Sequence, residues 1–123
     1  MGQYHIIVNL DKNEYLHAHR FNEGVGLLEQ AQGDGAGKTV AGLFFLLACS
    51  GDGRGGGDAR AEWNPPGGRV LGRWAGDRVA VVGDYTENDD LPAVPDAKDL
   101  YSRVQETGAD ISALVIEFLS HVD

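Results

Sequence analysis

The chain has 123 residues, of which 42% are hydrophobic, a size and composition typical of one globular domain. Nineteen Asp and Glu residues against ten Lys and Arg residues give a formal net charge of −9. Because nucleic acids and anionic membranes are held by clustered cations, this charge argues against a protein that binds either of them through a basic surface.

The N-terminal part of the sequence predicts a β-hairpin followed by two helices. Strands are expected at residues 3–10 and 14–20, on either side of the turn-forming sequence Asp-Lys-Asn. A short helix is expected at residues 21–32, with Asn22 as its N-cap. The strongest helix prediction covers residues 38–49, which are apolar on nearly every side, so this helix is expected to be buried across one face of the sheet.

The segment RVLGRWAGDRVAVVGD, at residues 69–84, predicts a second hairpin. Its first arm contains Val70, Leu71 and Trp74, and a short Gly-containing turn leads into a second arm at residues 78–82. The second arm is apolar on both faces, which is typical of a central strand that is covered on both sides.

The C-terminal part predicts two further helices. An acidic loop at residues 84–96 precedes a helix at 97–107, which is expected to end at Gly108. A short extended segment then leads to Ser112, the expected N-cap of a helix over residues 113–122.

Together these elements predict a single α+β domain at residues 1–123. It has a mainly antiparallel sheet of about four strands in two hairpins, with three to four helices packed on it. Cys49 is the single cysteine, and its place at the end of an apolar helix predicts a buried structural thiol. The N-terminal residues lack a signal-peptide pattern, and the longest apolar run, residues 40–49, is shorter than the roughly 20 residues that span a bilayer. A cytoplasmic protein is therefore expected.

Two histidines form the first candidate site. His17 and His19 lie two apart on a predicted strand and therefore point the same way, so both imidazoles are expected to reach one transition-metal ion, joined by Glu23 from the following turn. The spacing His-x-His-x₃-Glu resembles the first metal motif of the cupins. The cupin glycine before the first histidine is replaced by Asp11, and the second cupin motif is absent. The alternative is a pair of half-exposed histidines beside Tyr15.

Residues at glycine-rich turns form the second candidate site. Loops carried by a rigid sheet are where binding residues concentrate, and these loops combine cations, acids and an indole. The predicted ligand-binding residues are Arg54, Asp58, Arg73, Trp74, Asp77 and Arg78. The alternative is a structural cation–π group in which Arg73 and Arg78 stack near Trp74.

The glycines at residues 33–37, followed by Lys38 and Thr39, resemble a phosphate-binding loop. That loop requires GxxxxGK[ST], and Gln32 occupies the position of its first glycine. The segment is therefore interpreted as a glycine-containing helix start, with nucleotide binding as a weaker hypothesis. No Gly-x-Ser-x-Gly motif is present and no carboxylate pair stands out, so no catalytic residue is predicted.

Several motifs carry a resemblance that spans most of the chain. They are MGQYHIIVNLDKNEYLHAH, GRGGGD, GRWAGDRVAVVGDY and LYSRVQETGADIS. In these motifs the sequence is similar to a family of uncharacterised small bacterial and phage proteins. The family has no established activity, so the resemblance implies a phage-associated protein and supplies no catalytic residues.

The sequence as a whole predicts a non-enzymatic, acidic binding or interaction module, of the inhibitor or adaptor type found in phages and mobile elements. Its glycine-rich loops are expected to hold a protein partner or a small ligand, because they carry the Arg and Trp residues. The alternative is a small metal-dependent protein or enzyme with a transition metal bound by His17 and His19.

Overall fold

A four-stranded mixed sheet organises the part of the chain that the computed structural model describes, which is residues 3–21, 38–49 and 59–122. Its strands, in the spatial order β3-β1-β2-β4, are β1 (His5–Asn9), β2 (Glu14–Leu16), β3 (Val79–Gly83) and β4 (Ala109–Asp110). The α-helices in these ranges are α1 (Lys38–Leu47), α2 (Leu100–Thr107) and α3 (Ser112–Leu119). The predicted α+β class and the predicted number of strands are confirmed, although β4 runs parallel to β2.

The first predicted hairpin is confirmed, with a shorter second strand. β1 and β2 pair antiparallel, and Asn13 closes the turn in the left-handed conformation, with a φ of 56° and an N–H donated to Asn9 O at 3.0 Å. β2 ends at Leu16 because the N–H of His17 donates to the Ser112 hydroxyl at 2.9 Å instead of continuing a ladder. The prediction that residues 17–20 are extended is therefore wrong.

The prediction of a second hairpin, by contrast, is wrong. Residues 71–77 form consecutive turns, and only the second arm becomes a strand, β3. The backbone of the first arm is bonded to other partners. The N–H of Val70 donates to Asn64 Oδ1 at 2.8 Å, and the N–H of Trp74 donates to Leu46 O at the end of α1, also at 2.8 Å. These competing bonds hold the first arm away from β3.

β3 lies at the edge of the sheet, whereas the sequence predicted a central strand covered on both faces. The two interior strands are β1 and β2, and Ile6, Ile7 and Val8 of β1 are 3% exposed or less. Val81 in the middle of β3 is 49% exposed. An apolar strand sequence therefore did not distinguish a central position from an edge.

The sheet separates two apolar cores, because successive side chains of β1 point to opposite faces. The larger core lies on the face of Ile7 and includes Leu16, Leu46, Trp74, Val115 and Phe118. The smaller core lies on the face of α2 and includes Ile6, Val8, Val82, Leu100 and Val104.

α1 packs against α3 at very short range. A Cβ added to Gly42 would lie 2.4 Å from Val115 Cγ1, so the glycine is what allows this approach. The prediction that α1 is buried on all sides across the sheet is wrong, since Phe44 is 72% exposed and Val40 and Leu47 are exposed beside it. The predicted burial of Cys49 is also wrong, because this residue is exposed.

The last two helices follow the prediction closely. α2 is preceded by a 3-10 turn at Ala97–Asp99 and ends at Gly108, as expected. Ser112 is the first residue of α3 rather than its N-cap, and its N–H donates to Asp110 Oδ1 at 2.9 Å. The predicted helix at 21–32 lies, apart from Phe21, outside the described residues.

Candidate ligand-binding cleft

A cleft of about 370 Å³ lies between the turn that joins β1 to β2, the loop at residues 93–95 and one face of α2. Its apolar floor is formed by Val8, Leu10, Val94, Pro95 and Leu100. Its polar rim is formed by Asn13, Arg78, Arg103 and Thr107. The cleft therefore combines apolar side chains with polar and charged ones, as small-molecule sites do.

Helical spacing places three of these residues on one face of α2. Leu100, Arg103 and Thr107 are three and four residues apart, so their side chains lie above one another along the cleft. The Thr107 hydroxyl donates to Arg103 O at 2.8 Å and accepts Asn13 Nδ2 at 3.2 Å. This hydrogen bond ties α2 to the hairpin turn and holds the two walls of the cleft together.

The two arginines on the rim differ in what they contact. Arg78 is paired with Asp11, which accepts its backbone N–H at 2.7 Å and its Nε at 2.9 Å. These bonds, the backbone bond first, lower the pKa of Asp11 from its ordinary value. Arg103 donates Nη1 to the Asp96 carbonyl at 3.3 Å, and within the described ranges no carboxylate lies at ion-pair distance from it. Arg103 therefore retains donors for a ligand.

Two of the predicted ligand-binding residues form a hydrogen-bonded group with Glu14 in β2. Arg73 donates Nε to Oε1 at 3.0 Å and Nη2 to Oε2 at 2.5 Å, and the fully buried Trp74 donates its indole N–H to Oε1 at 2.9 Å. The Arg73 bonds, aided by the Trp74 bond and opposed by burial, lower the pKa of Glu14. These polar groups are satisfied within the chain and brace the 69–77 segment against the sheet.

Asp77 is engaged in the same way at the hairpin turn. It accepts the buried Asn9 Nδ2 at 2.8 Å and forms an ion pair with Lys12. Asn9 in turn accepts the N–H groups of Asp11 and Lys12 through Oδ1. Of the predicted ligand-binding residues that the structure describes, Arg78 lines the cleft. Arg54 and Asp58 lie outside the described residues.

The predicted metal ligands His17 and His19 are neighbours, although they do not lie on a strand. Their ring centroids are 5.4 Å apart, and His17 Nδ1 accepts the His19 backbone N–H at 3.4 Å. Burial, followed by the charge of His19, lowers the pKa of His17. In residues 3–21, 38–49 and 59–122, no group of three His, Cys, Asp or Glu side chains is placed to hold a metal ion, and Glu23 lies beyond these ranges.

Sequence reasoning missed Arg103, Asn13 and Thr107 as site residues. A signal for the two helical residues was present, because Arg103 and Thr107 share a helical face with the apolar Leu100. Asn13 is a turn-forming residue in the sequence, but its contact with α2 joins positions 94 residues apart and has no local signature.

Comparisons of the chain with protein-family models, with curated proteins and with solved structures found no match. Among the described residues, no helix is long and apolar enough to cross a membrane. The function is therefore inferred from the geometry of the cleft.

Proposed function

We propose that this protein is a non-enzymatic, acidic binding module that holds a small organic anion in the cleft between the hairpin turn and α2. The observation that carries the proposal is Arg103, which stands at the rim of an apolar-floored cleft without a carboxylate partner in the described ranges. Its guanidinium offers paired donors in the geometry that a carboxylate accepts.

The size and polarity of the cleft favour a ligand with one charged end. Its volume of about 370 Å³ lies within the roughly 300–1,000 Å³ range of small-molecule sites. The protein carries a net charge of −9, which repels anions at long range, so a free inorganic anion gains little from this site. An apolar body that covers the partly buried Leu10 and Val94 adds hydrophobic binding energy at about 25 cal/mol per Å² of apolar surface removed from water.

We expect octanoate to bind in this cleft more tightly than octanol, which has the same apolar chain without the carboxylate. Amide shifts in a nitrogen-15 NMR titration are expected at Leu10, Val94 and Arg103. Arg103→Gln is expected to weaken octanoate binding roughly 10- to 100-fold, because a hydrogen bond to a charged group contributes about 1.5–3 kcal/mol. The same substitution is expected to leave octanol binding unchanged.

The matched control is Arg60→Gln, which removes an exposed arginine paired with Glu62 away from the cleft. It should bind octanoate as the wild type does. Equal octanoate affinity in the wild type and Arg103→Gln, or shifts that cluster away from the cleft, would contradict the proposal. The same titration with benzoate and naphthoate extends the test to aromatic carboxylates.

From the resemblance to small bacterial and phage proteins we further propose that this binding module is an inhibitor or adaptor. A binding module of the inhibitor or adaptor type would couple ligand binding in the cleft to contact with a protein partner. The glycine-rich sequence at residues 50–58, which carries Arg54 and Asp58, lies outside the described residues, and its contact with a partner stays a prediction.

A second candidate function, a metal-dependent protein, is favoured by the proximity of the two imidazoles of His17 and His19. For this alternative we expect stoichiometric transition metal in protein purified without chelator, and loss of that metal in His17→Ala. Elemental analysis after dialysis is the measurement. His121→Ala is the control, because this histidine stacks on Trp63 at a different place in the fold. Metal-free wild-type protein, or equal metal content in both variants, would contradict this alternative.

A further inference from the structure

The edge strand β3 presents an open row of backbone groups. β1 and β3 pair antiparallel, and the bonds from Leu10 N to Arg78 O and from Asp84 N to Tyr4 O show which residue pairs exchange hydrogen bonds. Because bonded and non-bonded pairs alternate in an antiparallel ladder, the even-numbered residues of β3 point their N–H and C=O groups toward β1. The odd-numbered residues Val79, Val81 and Gly83 point theirs toward the open edge.

The outward-pointing backbone groups of one of these three residues are already hydrogen-bonded within the chain. The N–H of Gly83 donates to the Thr86 hydroxyl at 2.8 Å, and its carbonyl accepts the Thr86 N–H at 3.1 Å. Val79 and Val81 have no such partner within the described part of the chain, and the Val81 side chain is 49% exposed. The open edge therefore consists of two donors and two acceptors on two valines.

We propose that this edge pairs with the same edge of a second copy of the chain, antiparallel and about a two-fold axis at Ala80. In this register Val79 of each copy faces Val81 of the other, so that each pair exchanges two backbone hydrogen bonds and all open groups are satisfied. The small side chain of Ala80 lies on the axis, where a non-hydrogen-bonded pair brings the strands closest.

Charge supports a second copy as the occupant. Arg78 and Asp84 flank β3 at opposite ends, and in this register Arg78 of one copy is diagonal to Asp84 of the other, about 7–8 Å away. The Arg78 side chain is 63% exposed and its Nε is paired with Asp11, while Asp84 accepts the Tyr4 N–H through Oδ1, so the remaining contact uses the Arg78 Nη groups and Asp84 Oδ2. Each exposed Val81 is covered by Val79 of the partner, which removes apolar surface at the centre of the contact.

The dimer is expected to be weak. Pairing of one five-residue strand buries less than the roughly 800 Å² per partner of a standard interface, so the wild type is expected to dimerise only at high protein concentration. Since two chains of charge −9 repel each other, added salt is expected to lower the dissociation constant. Sedimentation equilibrium across a concentration series, at low and at high salt, measures both effects.

Val81→Pro is the decisive variant. Proline removes the Val81 N–H, which points away from β1, so the β1–β3 ladder is retained while the dimer loses a donor from each copy. The dissociation constant is expected to rise roughly tenfold or more. Val81→Lys tests the same contact without altering the backbone, by placing like charges together at the edge. Circular dichroism checks that both variants are folded.

Phe44→Ser is the matched control, because it removes an exposed apolar side chain on α1 and leaves the edge intact. Its dissociation constant should equal that of the wild type. A wild type that stays monomeric at every concentration and salt would overturn the proposal. A dimer that survives both Val81 substitutions, or one that Phe44→Ser abolishes, would do the same.

Discussion

Trp74→Ala is expected to lower the free energy of unfolding by about 3–5 kcal/mol, the range for truncating a buried Trp. Trp74 is fully buried in the larger core, a cluster that includes residues from both ends of the chain. Its loss leaves a cavity and removes the indole N–H that Glu14 accepts at 2.9 Å. Urea unfolding followed by circular dichroism measures the change.

Trp74→Phe separates packing from the hydrogen bond. Phenylalanine keeps most of the apolar volume but has no donor for Glu14, so an intermediate loss of about 1–3 kcal/mol is expected. Trp63→Ala serves as the control for removing an indole. Trp63 is only partly buried at the margin of the core, so this substitution should lower the free energy of unfolding by less. A loss below about 1 kcal/mol in Trp74→Ala would contradict the central place given to this side chain.

Glu14→Gln is expected to lower stability at neutral pH by about 1–3 kcal/mol and to flatten its dependence on pH. The Arg73 hydrogen bonds depress the pKa of Glu14 below its ordinary value of 4.5 in the folded state. A depressed carboxyl pKa means that the unfolded chain binds the proton more readily. The stabilisation is therefore present above pH 4.5 and is lost as the pH falls through the lower folded-state pKa.

The pH dependence distinguishes this role from simple packing. Wild-type protein should lose stability more steeply than Glu14→Gln as the pH falls below 4.5, so that the two unfolding free energies converge in acid. Glu62→Gln is the control, because Glu62 is an exposed carboxylate paired with Arg60. Its stability should follow the wild type at each pH. Parallel curves for the wild type and Glu14→Gln would show that the Arg73 contact does not stabilise the fold.

The candidate site was only partly predictable because the same residue types serve binding and bracing. Arg73, Trp74 and Asp77 are predicted ligand-binding residues, and each also forms a hydrogen bond with a residue of the β-hairpin. The composition of a loop does not reveal whether its cations have acidic partners elsewhere in the chain. For Arg73 that partner is Glu14, which lies 59 residues away.

The sequence by itself determined the features that depend on neighbouring residues. The turn at Asn13, the helical conformation of residues 38–47 and the end of α2 at Gly108 follow from local backbone preferences and helical periodicity. The α+β class follows from the sum of such elements.

Only the tertiary structure decided which backbone and side-chain groups meet across the chain. Hydrogen bonds to Asn64 and Leu46 kept the first arm of the expected hairpin from becoming a strand, and this left β3 at the edge of the sheet. The cleft likewise exists because α2 docks on the turn at Asn13. These outcomes are set by competition among distant partners for a limited number of donors and acceptors, which no local pattern encodes.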